Sequence, residues 1–209
     1  MKVIVGMATF KGREKACDTA LKSLSKQVDT IYLYDNEKNE DLADNGKFYG
    51  LELIDEPCIY LSCDDDLLYP PNYVEVMVKA IETHKCIVSH HGRILTGLDV
   101  DYYSGHKSFR CLDEVRAWQL IDVCGTGVTG FSTEYFNPKL WDAEDKKMSD
   151  LVFSLEAIKQ DKRITLLPHS KGWITHLPID HSKSIAVTER RNKRQIEIAN
   201  EIYTLRHGD

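Results

Sequence analysis

Cys58-Ile59-Tyr60-Leu61-Ser62-Cys63-Asp64-Asp65-Asp66 is the stretch on which the reading of this chain turns. Its first six residues form an apolar run of the length of a buried strand, and three adjacent carboxylates follow at its carboxyl end. Open α/β sheets bind their ligands at that rim. Adjacent carboxylates repel one another, so folding alone gives little reason to cluster them. A divalent cation removes the repulsion, and hard oxygen ligands suit Mg²⁺ or Mn²⁺. The row therefore reads as a metal site that holds a phosphorylated substrate. A solvated turn is the plain alternative, because aspartate is a common turn residue. An EF-hand is rejected: Asp64, Asp66 and Glu75 fit its spacing, but Leu68 and Tyr69 occupy a ligand and the glycine position, and Pro70-Pro71 breaks the loop. A phosphatase-type Asp-x-Asp nucleophile belongs on a first strand, and an earlier strand exists here.

Upstream, Lys2 to Ala8 is a continuous apolar run, as in a strand buried on both faces. Residues 12–27 have helical spacing and Val28 to Tyr34 gives a second strand, which together make a βαβ unit. Asp35 to Lys47 is polar and reads as a loop, and Leu51 to Ile54 as further strand. Downstream, a helix over 71–84 starts on proline, followed by a strand over Cys86 to Ser89. Beyond residue 90 the alternation stops. Strands are expected around 111–123 and 128–132, a helix over Asp150 to Gln160, and a late strand over Ile164 to Leu167. A loop with His169, His176 and His181 comes next, then a charged helix over 188–205 with Ile196, Ala199, Ile202 and Leu205 along one stripe.

With 209 residues, 42% of them hydrophobic and 29% charged, the chain suits a single soluble domain. Its net charge of −6 argues against nucleic acid as the main partner. The six cysteines show no C-x-x-C spacing, so they read as small buried hydrophobes. The amino terminus enters a strand at once and no long apolar span occurs, which predicts a protein of the reducing cytoplasm without a membrane span. The last residues stop without a tail, as a domain cut from a longer chain also would.

This order of parts resembles the GT-A glycosyltransferases, especially the family-2-like nucleotide-sugar transferases, over nearly the whole chain. The compact layout is similar to that of small virus-encoded members. The resemblance implies one Rossmann-like α/β domain with a mixed, mainly parallel sheet flanked by helices. Residues 1–90 would bind the nucleotide and 91–209 the acceptor. Met7-Ala8-Thr9-Phe10 with Arg13-Glu14 looks like the first turn, which touches the nucleobase, and Tyr34-Asp35-Asn36 stands where the family sets an aspartate on uracil and ribose. Asp64-Asp65-Asp66 looks like the Asp-x-Asp metal motif. Gly125-Thr126-Gly127-Val128-Thr129-Gly130-Phe131 resembles the acceptor-side segment, with Gly127 and Thr129 as acceptor contacts. Met148-Ser149-Asp150 resembles the acidic dipeptide whose Asp is the catalytic base, although only Asp150 is acidic here, and the basic motif near the carboxyl terminus has no clear counterpart.

The implied donor is a nucleoside-diphosphate sugar, UDP-linked, and the acceptor a glycan or other hydroxyl compound. Mn²⁺ or Mg²⁺ would sit on Asp66, with Asp64 on the metal through water or on the ribose, and His176 or His181 as a further ligand. Alternation along an extended segment turns Asp65 the other way, with Thr9, Arg13, Asp35 and Asn36 completing the nucleotide contacts. Asp150 as base implies displacement with inversion.

Plain readings compete at several of these positions. Asp150 could cap its helix, Asp35 and Asn36 could be turn residues, and each histidine could be a surface or core imidazole. Trp118, Trp141 and Trp173 suit core or rim packing more than sugar platforms, although one could stand near the acceptor, and the basic residues Lys11, Arg13 and Lys47 could meet phosphate or be solvated in loops. The rival enzyme, a sugar-phosphate nucleotidyltransferase, would carry a G-x-G-T-R-like loop that Thr9-Phe10-Lys11-Gly12-Arg13 does not match. A non-catalytic nucleotide- or carbohydrate-binding module is the remaining alternative.

Overall fold

The apolar run at Cys58 is the centre of the sheet. A computed structural model describes residues 1–138, 145–179 and 192–208. In it β1 (Lys2–Thr9) lies between β2 (Thr30–Asp35) and β3 (Cys58–Asp64), parallel to both. On the far side of β3, β10 (Val128–Ser132) runs antiparallel and joins β5 (Ile87–Ser89), also antiparallel. Then come β11 (Ile164–Leu166), parallel to β5, and β8 (Gln119–Leu120), antiparallel to β11. The sheet order is thus β2-β1-β3-β10-β5-β11-β8, and all strands but β10 and β8 share one direction. This is the mixed α/β, Rossmann-like class expected.

The pleat explains why β3 is apolar throughout. Ile59, Leu61 and Cys63 face α1 (Glu14–Leu24) and α2 (Tyr73–His84), in a core shared with Val5, Leu24 and Met77. Cys58 and Tyr60 face the other way, into a core with Phe48, Phe131, Phe136 and Phe153. Phe153 belongs to α3 (Ser149–Lys159), which packs on α4 (Lys193–His207) through Leu151, Val152 and Leu155 against Ile198, Ala199 and Ile202. The buried stripe of α4 is Gln195, Ile198, Ala199 and Ile202, so Ala199 and Ile202 of the expected stripe are buried while Ile196 is only partly so and Leu205 is exposed. Residues 188–191 of that expected helix, with Trp141 and His181, lie outside the described residues.

Two further expectations change. Leu51 to Ile54 is not strand: Ala43–Leu53 forms a 3-10 segment, occupying part of the expected loop as well. The segment can close on the sheet because Gly6 has no side chain, since a Cβ there would fall 2.0 Å from both the Lys47 carbonyl oxygen and the Tyr60 hydroxyl. That hydroxyl donates to the Lys47 carbonyl at 2.8 Å. The single strand expected over 111–123 is only β8 and the start of β9 (Val123–Cys124), which pairs with β6 (Gly92–Ile94); β6 also pairs with β7 (Lys107–Phe109). A last small sheet joins β4 (Leu67–Leu68) to β12 (Thr175–His176). All six cysteines are buried and free. No helix of the described residues is long and apolar enough to cross a membrane.

Candidate functional site

A cleft of about 740 Å³ opens at the carboxyl ends of β1 and β3. The register sets Ala8 beside Asp64, so the first turn and the aspartate row meet at one edge. A smaller hollow of about 380 Å³, lined by Lys85, Glu134 and Arg163 among others, contains none of the residues singled out from the sequence.

The pleat of β3 continues into the aspartates. Asp64, in phase with Tyr60, turns toward the 3-10 segment and forms an ion pair with Lys47, whose side chain is only 5% exposed. Asp65, in phase with Cys63, turns toward α1, where Arg13 donates to it at 2.7 Å and the Thr9 hydroxyl at 2.8 Å. Arg13 also reaches Asp66 at 3.4 Å. The alternation predicted for Asp65 is therefore present, yet all three aspartates line the cleft. Gly127 makes room for the row, because a Cβ there would fall 1.9 Å from Asp64 Oδ2.

Two cations thus serve three carboxylates. Burial alone would raise the Asp64 carboxyl, but the Lys47 ammonium and Arg13 hold it below its ordinary value. Burial also opposes the Lys47 charge, and Asp64 and Asp44 more than restore it. Asp66 receives the least compensation: burial and the Asp64 charge push it up to about 6. Asp66 is thus the carboxylate of the row with the least opposite charge to offset its burial.

The fit of a divalent ion can be judged at Asp66. Leu177 N donates to the Asp66 carbonyl at 2.7 Å, and β12 pairs His176 with Leu67, which brings His176 Nε2 to 3.8 Å from Asp66 Oδ2. His176 Nδ1 lies 2.9 Å from the Leu177 carbonyl, an acceptor, which selects the tautomer with its lone pair on Nε2. Carboxylate and imidazole side by side suit Mn²⁺ or Mg²⁺ completed by phosphate oxygens and water. Asp64 is committed to Lys47 instead, and no group of three His, Cys, Asp or Glu side chains converges as a metal site among the described residues.

Asp150 lines the same cleft. One of its oxygens accepts from Thr126 N at 2.7 Å and from the Thr126 hydroxyl at 2.8 Å. It does not cap α3: the N-cap is Met148, and Asp44 accepts there from Ser149 N at 3.1 Å and Ser149 Oγ at 2.5 Å. His91 and Arg93, from the β6 arm, line the same wall. Burial and the Arg93 charge push His91 down to about 4, so at neutral pH it is an uncharged imidazole.

Several residues expected at the site are elsewhere. Asp35 forms a turn of its own, accepting from Glu37 N at 3.0 Å and pairing with Lys38 at 2.8 Å, and it does not line the cleft. The Asn36 amide donates to the Thr9 and Ala43 carbonyls and accepts from Leu42 N, so it holds the loop. Thr129 is fully buried, donating to Ser89 Oγ and the Gly125 carbonyl; its neighbour Thr126 reaches the cleft instead. Trp118 packs on His84 and Trp173 on Tyr73 and His90, and neither lines the cleft.

Lys47, expected either to meet phosphate or to be solvated, is buried in an ion pair with Asp64. Sequence reasoning overlooked Asp44, His91, Arg93, Tyr102, Tyr103 and Gln195 altogether. The run Ser89-His90-His91-Gly92-Arg93 directly after a strand was the available signal for two of them.

No family model matches the chain, and no curated protein matches it. Among solved structures, A197 from STIV is 15% identical over 85% of this chain and 86% of its own, with a TM-score of 0.48. The inositol-1-phosphate CTP transferase from T. maritima is 14% identical over 94% of this chain and 75% of its own, with a TM-score of 0.41. Neither likeness assigns an activity to this chain.

Proposed function

We propose that the chain is a glycosyltransferase that moves a sugar from a nucleoside-diphosphate donor to a hydroxyl acceptor, with inversion. The observation that carries this reading is an under-neutralised aspartate row and Asp150 lining one cleft. UDP as the nucleotide rests on the motif resemblance alone.

In this reading Arg13 and the row hold the diphosphate end of the donor, and Lys47 keeps Asp64 ionised and in place. Asp66 and His176 would hold Mn²⁺ or Mg²⁺, which when bound supplies charge stabilisation for the departing diphosphate. The acceptor oxygen attacks the anomeric carbon while the carbon–oxygen bond to the diphosphate breaks, its electron pair leaving with the nucleotide. Asp150 takes the acceptor's proton. Thr126 fixes one Asp150 oxygen, so the carboxylate is oriented before the acceptor arrives.

The test is a panel of nucleotide sugars and saccharide acceptors with Mn²⁺, following nucleotide release and the anomeric configuration of the product by NMR. The expected result is metal-dependent release from a UDP-sugar and an inverted product. Pyrophosphate release from CTP or UTP with a sugar phosphate would replace this reading with nucleotidyl transfer. Binding without turnover would leave a binding module.

A further inference from the structure

Two buried oxygen acceptors in the cleft wall have no hydrogen-bond partner among the described residues: Asp44 Oδ1 and Gln195 Oε1. Gln195 is 1% exposed, which is unusual for an amide with a spare oxygen. The two residues come from distant segments, yet both lie close to Tyr103, and their chain neighbours meet at one residue, Asp145. Asn45 Nδ2 donates to the Asp145 carbonyl at 3.4 Å, and Arg194 donates to the Asp145 carboxylate at 2.8 and 3.2 Å. The chain neighbours of the two acceptors are thus tied to the same point, which sets both at one end of the cleft.

Aromatic rings and a guanidinium complete that end. Gln195 Nε2 donates to the Tyr103 hydroxyl at 3.4 Å, and Tyr102 and Tyr103 meet edge to face with centroids 5.1 Å apart. Arg93 lies over the Tyr102 ring at 4.4 Å and donates to its hydroxyl at 2.9 Å.

The ligand that answers this set must donate two hydrogen bonds, accept from a guanidinium and present an apolar face to aromatic rings. A phosphodiester or carboxylate has no proton to donate, and a phosphate's charge would be repelled by Asp44 and Asp150. A serine side chain has one hydroxyl and would satisfy one acceptor, not two. A sugar ring has adjacent hydroxyls that both donate and accept, and a C–H face that packs on aromatics. Resting on the transferase reading above, we infer that the acceptor is a pyranoside whose adjacent hydroxyls bind Asp44 and Gln195, beside the Tyr102–Tyr103 pair. A further hydroxyl is thereby presented to Asp150, which lines the same wall.

Saturation-transfer NMR on the whole chain, without donor, tests this with a panel of methyl glucoside, galactoside, mannoside and N-acetylglucosaminide. A serine-containing peptide and butanol serve as comparisons. Asp44→Asn keeps an oxygen for Ser149 but turns the spare acceptor into a donor, and Gln195→Met removes the amide at similar volume. At least one pyranoside should bind, and each variant should weaken it tenfold or more, while in Gln195→Met UDP affinity with Mn²⁺ stays within twofold. If Asp44→Asn does not fold, Gln195→Met decides. The inference fails if no pyranoside binds, if both variants bind one as tightly as the parent, or if the peptide or butanol competes equally. Variant-sensitive pyranoside binding with no UDP-sugar turnover would sink the transferase reading and leave the saccharide subsite standing.

Discussion

Lys47 is the residue that makes an aspartate row tolerable before any ligand arrives. Removing its charge in Lys47→Met leaves Asp64 ionised beside buried surface. Breaking a buried pair costs about 3–5 kcal/mol. The Asp64 side chain is 38% exposed, and solvent screening lowers the expected loss to roughly 1–3 kcal/mol. Urea titration should register it, and adding Asp64→Asn should restore part of it; a single variant as stable as the parent would make the pair idle. Asp150 gives the complementary experiment. Asparagine retains an oxygen for Thr126, and α3 is capped by Asp44, so Asp150→Asn should fold and bind UDP as before. Sugar transfer should nonetheless fall by about 10² or more, the usual loss for general-base catalysis. Near-parental transfer would assign Asp150 to holding the Thr126 turn.

Short elements set the chemistry of the cleft more than long ones do. The two-residue pairing of β4 with β12 is what carries His176 to Asp66. If these two hold the metal, Asp66→Asn and His176→Ala should each cut the Mn²⁺-dependent gain in UDP affinity by roughly 10–100-fold, as loss of groups at a metal site commonly does. Because Asp66 titrates near 6, protons compete with the metal, so the gain should fade as pH falls below 6 and be complete above 7. Calorimetry with and without chelator measures both effects, and a full Mn²⁺ gain in His176→Ala would remove histidine from the site. The same scale explains what could be read from the sequence. β1, β3, α2 and α3 declare themselves by continuous apolar runs or helical spacing, and the aspartate row follows β3 directly. The 3-10 segment has no such period, so Lys47 and Asp44 looked like loop residues and Leu51 to Ile54 like strand. Arg93 and Gln195 reach the cleft only through β6 and α4 docking, which no local pattern encodes.

Across the whole molecule, stability and assembly both follow from what the sheet buries. His90 is fully buried against His169 and Trp173, and burial together with the His169 charge pushes it down to about 3. Above pH 6.5 neither the folded nor the unfolded chain protonates it, and its contribution is constant. As pH falls from 6.5 toward 3, the unfolded chain takes up a proton that the folded one refuses, so stability drops by up to about 1.4 kcal/mol per pH unit. His90→Gln should flatten the decline of unfolding midpoint between pH 6.5 and 4; an unchanged slope would place the acid sensitivity elsewhere. The position of β10 bears on biosynthesis. It is made some seventy residues after β3 and yet is the partner on one whole side of that strand. At about 5–20 residues per second a ribosome needs roughly 4–14 s to deliver it. For that interval the nascent chain carries a strand segment of seven residues whose N–H and C=O groups on one edge await their partner. A polypeptide halted before Val128 should accordingly pellet more than one extended through Ser132, and equal pelleting of the two would show that covering the edge of β3 is not what limits solubility during synthesis.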